Sequence, residues 1–298
     1  MKVALLAWCM ALAVLPGAGL SPAHAQDVCE LVDRPAETWK VRSPFDVIDG
    51  RIYIQATVNG HGPFRFAVDT GASGMGRADS SLVSELGLVV HGQGENSDGV
   101  TTSSANVTRL GSLGIDGLVR KDIEVITRDY SGNKPPAEKF QGIIGREFFD
   151  DGLLIIDYPN RVLYFTQSLA LSPEQPGVVH YERAFRIPVS IGSLKTTGNL
   201  DTGANVTFVI PQSMYSQVSD ARLQEAGAGT LSNTTIRTER ALMHGPFRMG
   251  GIELSDVEVR VSDRYPEFLV GAHVLQDMVI MIDQRSGSVA LCQQVASE

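Results

Sequence analysis

Beyond residue 40 the apolar positions fall in short runs of β-branched and aromatic side chains, broken repeatedly by Gly, Asn and Pro. Segments 51–58, 63–68, 153–158 and 161–165 have this form in the first half of the chain. Segments 185–191, 206–210, 257–261, 279–282 and 288–292 repeat it in the second. Runs this short, bounded by turn residues, predict strands and hairpins. Helical spacing is sparse and predicts helices only over 80–86 and 212–226. The polar, Pro-containing stretch 167–179 separates the halves. The expected organisation is all-β, with one lobe over 26–168, a linker over 169–180 and a second lobe over 181–298. Asp157-Tyr158-Pro159-Asn160 and Asp283-Gln284-Arg285-Ser286-Gly287 hold matching places in the two halves. Both are predicted hairpin turns whose Asp residues are structural.

The first residues change the picture of where the chain works. Lys2 precedes an apolar run from Val3 to Leu15, followed by Pro16-Gly17 and an Ala23-His24-Ala25 exit before Gln26. This order predicts a secretory signal peptide over 1–25. The run is shorter than the roughly 20 apolar residues of a membrane span, although an uncleaved anchor is the alternative. The expected location is a periplasm or the outside of the cell. Asn205-Val206-Thr207 is a glycosylation sequon close to Asp201, and its occupation would obstruct that residue, which favours a bacterial periplasm. Removing residues 1–25 takes away one charged residue, Lys2, and moves the net charge from −9 to −10. Such an acidic balance argues against nucleic acid or an anionic membrane as partner. Cys9 leaves with the signal, so Cys29 and Cys292 remain. In an oxidising compartment a leftover pair is expected to bridge, two free thiols being the alternative.

Candidate chemistry comes from a repeat. Asp69-Thr70-Gly71 lies in FAVDTGAS and Asp201-Thr202-Gly203 in GNLDTGAN. Each triplet has a later apolar pair ending in glycine, Ile143-Ile144-Gly145 and Leu269-Val270-Gly271, at intervals of 76 and 70 residues from the Asp. Asp-Gly turns would explain either triplet alone, but not a repeat with matched second motifs. A duplicated module with one carboxylate per copy predicts a single site built from two halves.

This tandem pattern resembles the aspartic peptidases, and in particular their retropepsin-like branch, whose triplet continues with Ala as at Ala72 and Ala204. The resemblance runs from about residue 41 to 292. It implies the acid-protease fold, two homologous six-stranded-barrel-like lobes with a cleft between them. It also implies that Asp69 and Asp201 are catalytic, and that Thr70 and Thr202 bond across the lobe interface. Gly71 and Gly203 would let the backbone turn tightly, while Gly145 and Gly271 would let the second motifs pass beside the Asp loops. The tip of the substrate-covering flap is expected at 97–102, around Gly99 and Val100, with 231–236 as its counterpart. No tyrosine lies between the first triplet and Arg128.

Two close carboxylates sharing one proton can activate water and polarise an amide carbonyl. The expected function is therefore an aspartic endopeptidase acting on an extended polypeptide. The alternative is a catalytically silent peptide-binding protein that keeps the fold. Pepsin-like enzymes carry Ser or Thr where this chain has Ala72 and Ala204. Losing that donor to the ionised form should raise the pair's pKa and give an optimum less acidic than pepsin's. Residues 26–40 are also too few for a long basic prosegment. The six His have no metal-ligand spacing, and Gly71-Ala72-Ser73-Gly74-Met75 fails the serine-hydrolase pattern at its last position. No cofactor and no metal are expected, and both halves on one chain imply a monomer.

Overall fold

The structure is a computed structural model that describes residues 27–132 and 134–293. The predicted signal peptide lies outside the described residues. Strands form three sheets of eight, nine and six members, which give an all-β architecture of two lobes and a shared base.

The two lobe sheets follow one path. In the N-lobe, neighbours run Arg51–Val58, His61–Val68, Gly142–Ile144, Gly76–Asp79, Leu118–Arg128, Thr102–Ile115, Val90–Ser97. In the C-lobe they run Arg186–Ile191, Leu194–Asp201, Phe268–Gly271, Phe208–Pro211, Val257–Ser262, Thr235–Met243, Gln224–Thr230. The repeat read in two short motifs therefore extends to the whole order of strands. The first N-lobe hairpin closes on Asn59-Gly60, both with positive φ (53° and 77°). That is the backbone a two-residue turn needs to match the twist of its strands. In each lobe the strand that enters the Asp triplet lies parallel to the strand of the second motif, with Val68 opposite Ile144 and Leu200 opposite Val270.

The six-stranded sheet takes strands from both halves. Leu153–Asp157 pairs antiparallel with Met278–Asp283, placing Ile155 opposite Met281 and locking the lobes together. Both strands are buried throughout, as unbroken apolar runs are when both faces are covered. Leu154, Ile156, Ile280 and Ile282 enter the main core shared by the lobes. Leu153, Ile155, Val279 and Met281 face a second core covered by Val28, Leu31, Trp39 and Leu171. Asp157 and Asp283 are buried at the turns of this sheet, where they accept from Asn160 N–H (3.0 Å) and Arg285 N–H (3.1 Å). Val178–His180, the end of the expected linker, is itself a strand paired with Ser288–Gln293.

Two expectations change. Each lobe sheet exceeds the six strands expected, because the flap hairpins are long and extra edge strands, Asp46–Ile48 and Ile252–Leu254, add to it. The helix expected over 212–226 ends at Val218, since Ser219 is extended (φ −154°, ψ 144°). Gln224–Thr230 then pairs with Thr235–Met243 as a hairpin, and tertiary pairing outweighs the helical spacing of Leu223 and Ala226.

Cys29 and Cys292 form a disulfide with Cα atoms 5.7 Å apart, at a sequence separation of 263. The bond pins the 3-10 helix Val28–Asp33 to the last strand beside the second core. Closing so long a loop restricts the unfolded chain, so Cys29→Ser with Cys292→Ser is expected to cost about 5 kcal/mol. A denaturant titration of both forms checks this, and an unchanged midpoint would contradict it.

Candidate active site

Each Asp triplet is held by the opposite lobe. Thr70 Oγ1 donates to Leu200 O (2.8 Å) and accepts from Thr202 N–H (3.0 Å). Thr202 Oγ1 donates to Val68 O (2.8 Å) and accepts from Thr70 N–H (3.1 Å). Both threonines are buried, and every donor and acceptor in the quartet is satisfied. Gly145 and Gly271 close the arrangement from below. A Cβ on either would collide with the carbonyls at Gly74 or Val206, and their successors Arg146 and Ala272 donate N–H bonds to Ala72 O (3.1 Å) and Ala204 O (2.7 Å).

The carboxyl groups of Asp69 and Asp201 meet above this frame. Asp69 Oδ1 accepts from Ala72 N–H (3.0 Å) and Asp201 Oδ1 from Gly203 N–H (2.8 Å). A Cβ on Gly71 would stand 2.6 Å from Asp201 Cγ, and one on Gly203 would overlap the Asp69 carboxylate. Glycine is thus required at both positions to admit the opposing acid. Both Asp residues are partly exposed toward the cleft, unlike the threonines beneath them. Burial of the Asp201 carboxyl among protein atoms raises its pKa, and the Asp69 charge and the hydrogen bond between the two side chains add to the rise. The Gly203 N–H and the charge of Arg51 oppose it. The pair therefore holds one proton well above the usual carboxylate range.

A second ring of residues was not legible in the sequence. Arg51 Nε donates to Gly203 O (2.7 Å) and its Nη2 to Asn205 Oδ1 (2.9 Å). Asn205 Nδ2 donates to Asp49, which also meets His273 Nε2 at 3.0 Å. At the other triplet Arg146 Nη1 donates to Gly71 O (3.2 Å), and Arg146 O accepts from Gln284 Nε2 (2.7 Å). One arginine thus holds the glycine carbonyl of each triplet. The signal for Arg146 was its place directly after Gly145; Arg51 has none, because its partners lie some 150 residues away in sequence.

Gly99 and Val100 lie at the tip of the Val90–Ser97/Thr102–Ile115 hairpin; the tip of its C-lobe counterpart is 231–234, and Thr235 and Ile236 of the expected range are already paired in the strand, opposite Thr230 and Gly229. The two tips are joined through Asn233. Its N–H donates to Asp98 Oδ2 (2.8 Å), and its Nδ2 donates to Asn96 O and Thr101 O (both 2.7 Å). Its Oδ1 accepts from Ser103 Oγ (2.7 Å) and Arg128 Nη1 (2.6 Å). Val100 packs with Ile236, Tyr265, Leu269 and Ala204 on the C-lobe side. The Tyr265 ring covers Gly99, so a C-lobe tyrosine stands at the flap that has none of its own. Removing the Asn233 amide should loosen both tips. Asn233→Ala is expected to speed hydrogen exchange over 97–102 and 231–236 about tenfold, and unchanged exchange would contradict the bridge.

A two-lobed all-β protein with paired carboxylates at the lobe junction has the acid-protease fold. The family described as aspartyl protease matches residues 54–148, a span with Asp69, the first flap and Gly145 but not the second triplet. Among solved structures, the aspartic proteinase from Irpex lacteus superposes with a TM-score of 0.54 at 13% identity. The similarity covers 85% of this chain and 97% of that one. At that identity the likeness is one of fold. No curated protein matches the chain significantly.

Proposed function

We propose that this chain is an exported, monomeric aspartic endopeptidase that cleaves extended polypeptides in the cleft between its lobes. The observation that carries the reading is the contact between the Asp69 and Asp201 carboxyl groups, fixed by the reciprocal threonine bonds. One acid is ionised and takes a proton from water as the water oxygen adds to the amide carbon. The other is neutral and donates its hydrogen bond to the carbonyl oxygen, which becomes a hydroxyl in the tetrahedral adduct. Collapse transfers a proton to the amide nitrogen as the C–N bond breaks, releasing a carboxylic acid and an amine. The pair is symmetric enough that it acts as one titrating unit.

An extended substrate strand would bond to the flap backbones once the Asn233 bridge yields. The Cys29–Cys292 bond supports an oxidising compartment, in keeping with the predicted export. Incubating the purified protein with a diverse peptide mixture from acidic to neutral pH, read by mass spectrometry, tests the reading. Cleavage is expected in the parent and absent in Asp69→Asn and Asp201→Asn. Binding without cleavage at any pH would replace this reading with that of a silent peptide-binding protein.

A further inference from the structure

The two sides of the cleft are built alike in backbone and differ in charge. On the C-lobe side, Ala204, Val206, Leu269, Ile236 and Tyr265 form an apolar cluster that already holds the Val100 side chain. The equivalent N-lobe cluster joins Ala72 and Ile143 to Tyr53 and Phe140, whose ring centroids are 5.9 Å apart. Cations surround this aromatic floor. The Arg65 guanidinium lies 4.5 Å over Tyr53 and the Lys134 ammonium 4.7 Å over Phe140. Arg51 is two residues before Tyr53, on the same face of its strand, and reaches Gly203 O. Burial and the charge of Arg51 lower the pKa of Lys134, so these two cations feel one another.

Among the described residues none of Arg51, Arg65 and Lys134 is in an ion pair. The fields of Glu138 and Asp79 reach Lys134, and the charge of Arg51 acts on Asp49 and Asp201 without a direct ion pair. The C-lobe treats its own arginine differently. Tyr53 stands opposite Ala67, two residues before Asp69, while Arg186 stands opposite Asn199, two residues before Asp201. Arg186 is neutralised by a direct bond to Glu267. Arg51 and Arg65 bond only neutral groups, Gly203 O, Asn205 and Ala137 O, and the Lys134 ammonium lies over Phe140; partly desolvated cations with no ion-pair partner, beside a cleft, leave a position for an anion.

We propose that the N-lobe side of the cleft is a subsite for a carboxylate of the substrate, held by Arg51 and Lys134 over the Tyr53/Phe140 floor, while the C-lobe side takes an aliphatic side chain in place of Val100. This rests on the peptidase reading and adds the substrate's chemistry to it. The carboxylate belongs either to an internal acidic residue or to a chain end, and amidated peptides separate the two sources.

The test uses matched peptides carrying Glu, Gln or Lys in turn at each position flanking the cleaved bond, each with a free and an amidated C-terminus. At one position Glu is expected to be cleaved about fivefold faster than Gln in kcat/KM, through two partly exposed charge contacts. A Glu preference that is the same in free and amidated peptides assigns the subsite to a side chain; equal rates for Glu and Gln with slower cleavage of the amidated peptides assign it to a terminal carboxylate. Lys134→Ala should erase the preference and Lys134→Glu should turn it toward Lys. The preference is read as the ratio of kcat/KM for Glu and Gln within each variant, so that a uniform loss of rate cancels. Equal rates for Glu and Gln at every position with no effect of amidation, or a carboxylate preference that survives Lys134→Glu, would overturn the subsite and leave the peptidase standing. No cleavage of any peptide would overturn the peptidase reading itself.

Discussion

Asp201→Asn should lose turnover by on the order of 10³-fold or more, and at neutral pH it should melt at a higher temperature than the parent. On the proposed mechanism the first effect follows because an amide cannot exchange the proton that the pair would pass between water, carbonyl and leaving nitrogen. The second follows from linkage. In the unfolded chain Asp201 loses its proton near the ordinary value of 3.8, whereas in the folded pair its pKa is raised. Between those two values the folded state binds more protons than the unfolded state. Stability therefore falls as pH rises through that window, by up to about 1.4 kcal/mol per pH unit. Asparagine keeps the shape and can donate to Asp69 without taking up a proton. The gap in melting temperature between variant and parent should widen from pH 4 to pH 7. A constant gap would mean that the carboxyl groups do not share a proton. The same shift predicts that activity persists above pepsin's strongly acidic range and is lost as pH passes the upper apparent pKa of the pair, where both carboxylates are ionised.

The parts of the site legible in the sequence are those encoded by local backbone demands. Asp69 and Asp201 were found because each needs Gly two residues on and a second glycine for the strand passing beneath. Such demands leave short motifs, and duplication printed them twice. The hairpin tip at Gly99 could be read from its turn residues. The Asn233 bridge could not, since an asparagine in a polar turn looks the same whether it faces water or the Asp98 carboxylate 135 residues away. The base sheet was hidden for a related reason. Runs such as 153–157 and 279–282 read as strands, but nothing local says that Ile155 lies opposite Met281. Helical spacing misled at 212–226 because a glycine-containing hairpin strand follows a short helix without a marked break. Pairing over long sequence distance decided each of these features.

Gly203→Ala is the change expected to have the largest effect while leaving both proposed catalytic acids in the chain. Gly203 does not have the positive φ that alanine resists, so the backbone would accept the new side chain without strain. The methyl would instead overlap the carboxylate of Asp69, across the lobe interface. To accommodate it, Asp69 must swing away from Asp201, or the two triplets must part and stretch the bonds of Thr70 and Thr202. Either way the acids no longer share a proton, and kcat is expected to fall by on the order of 10³-fold, comparable with removal of one acid. Gly71→Ala should act in the same way from the other side, because its methyl meets Asp201. Gly251→Ala is the control: its Cβ would meet nothing within 4 Å, so rate and stability should hardly move. Steady-state kinetics on one peptide, with melting curves for the three variants, separate the possibilities. A folded Gly203→Ala protein with near-parental kcat would show that turnover does not need the two carboxyl groups in contact, and the shared-proton mechanism would have to be given up. Loss of activity without loss of folding would place the whole effect in the approach of one carboxylate to the other, a distance that the bare Cα atoms of Gly71 and Gly203 determine.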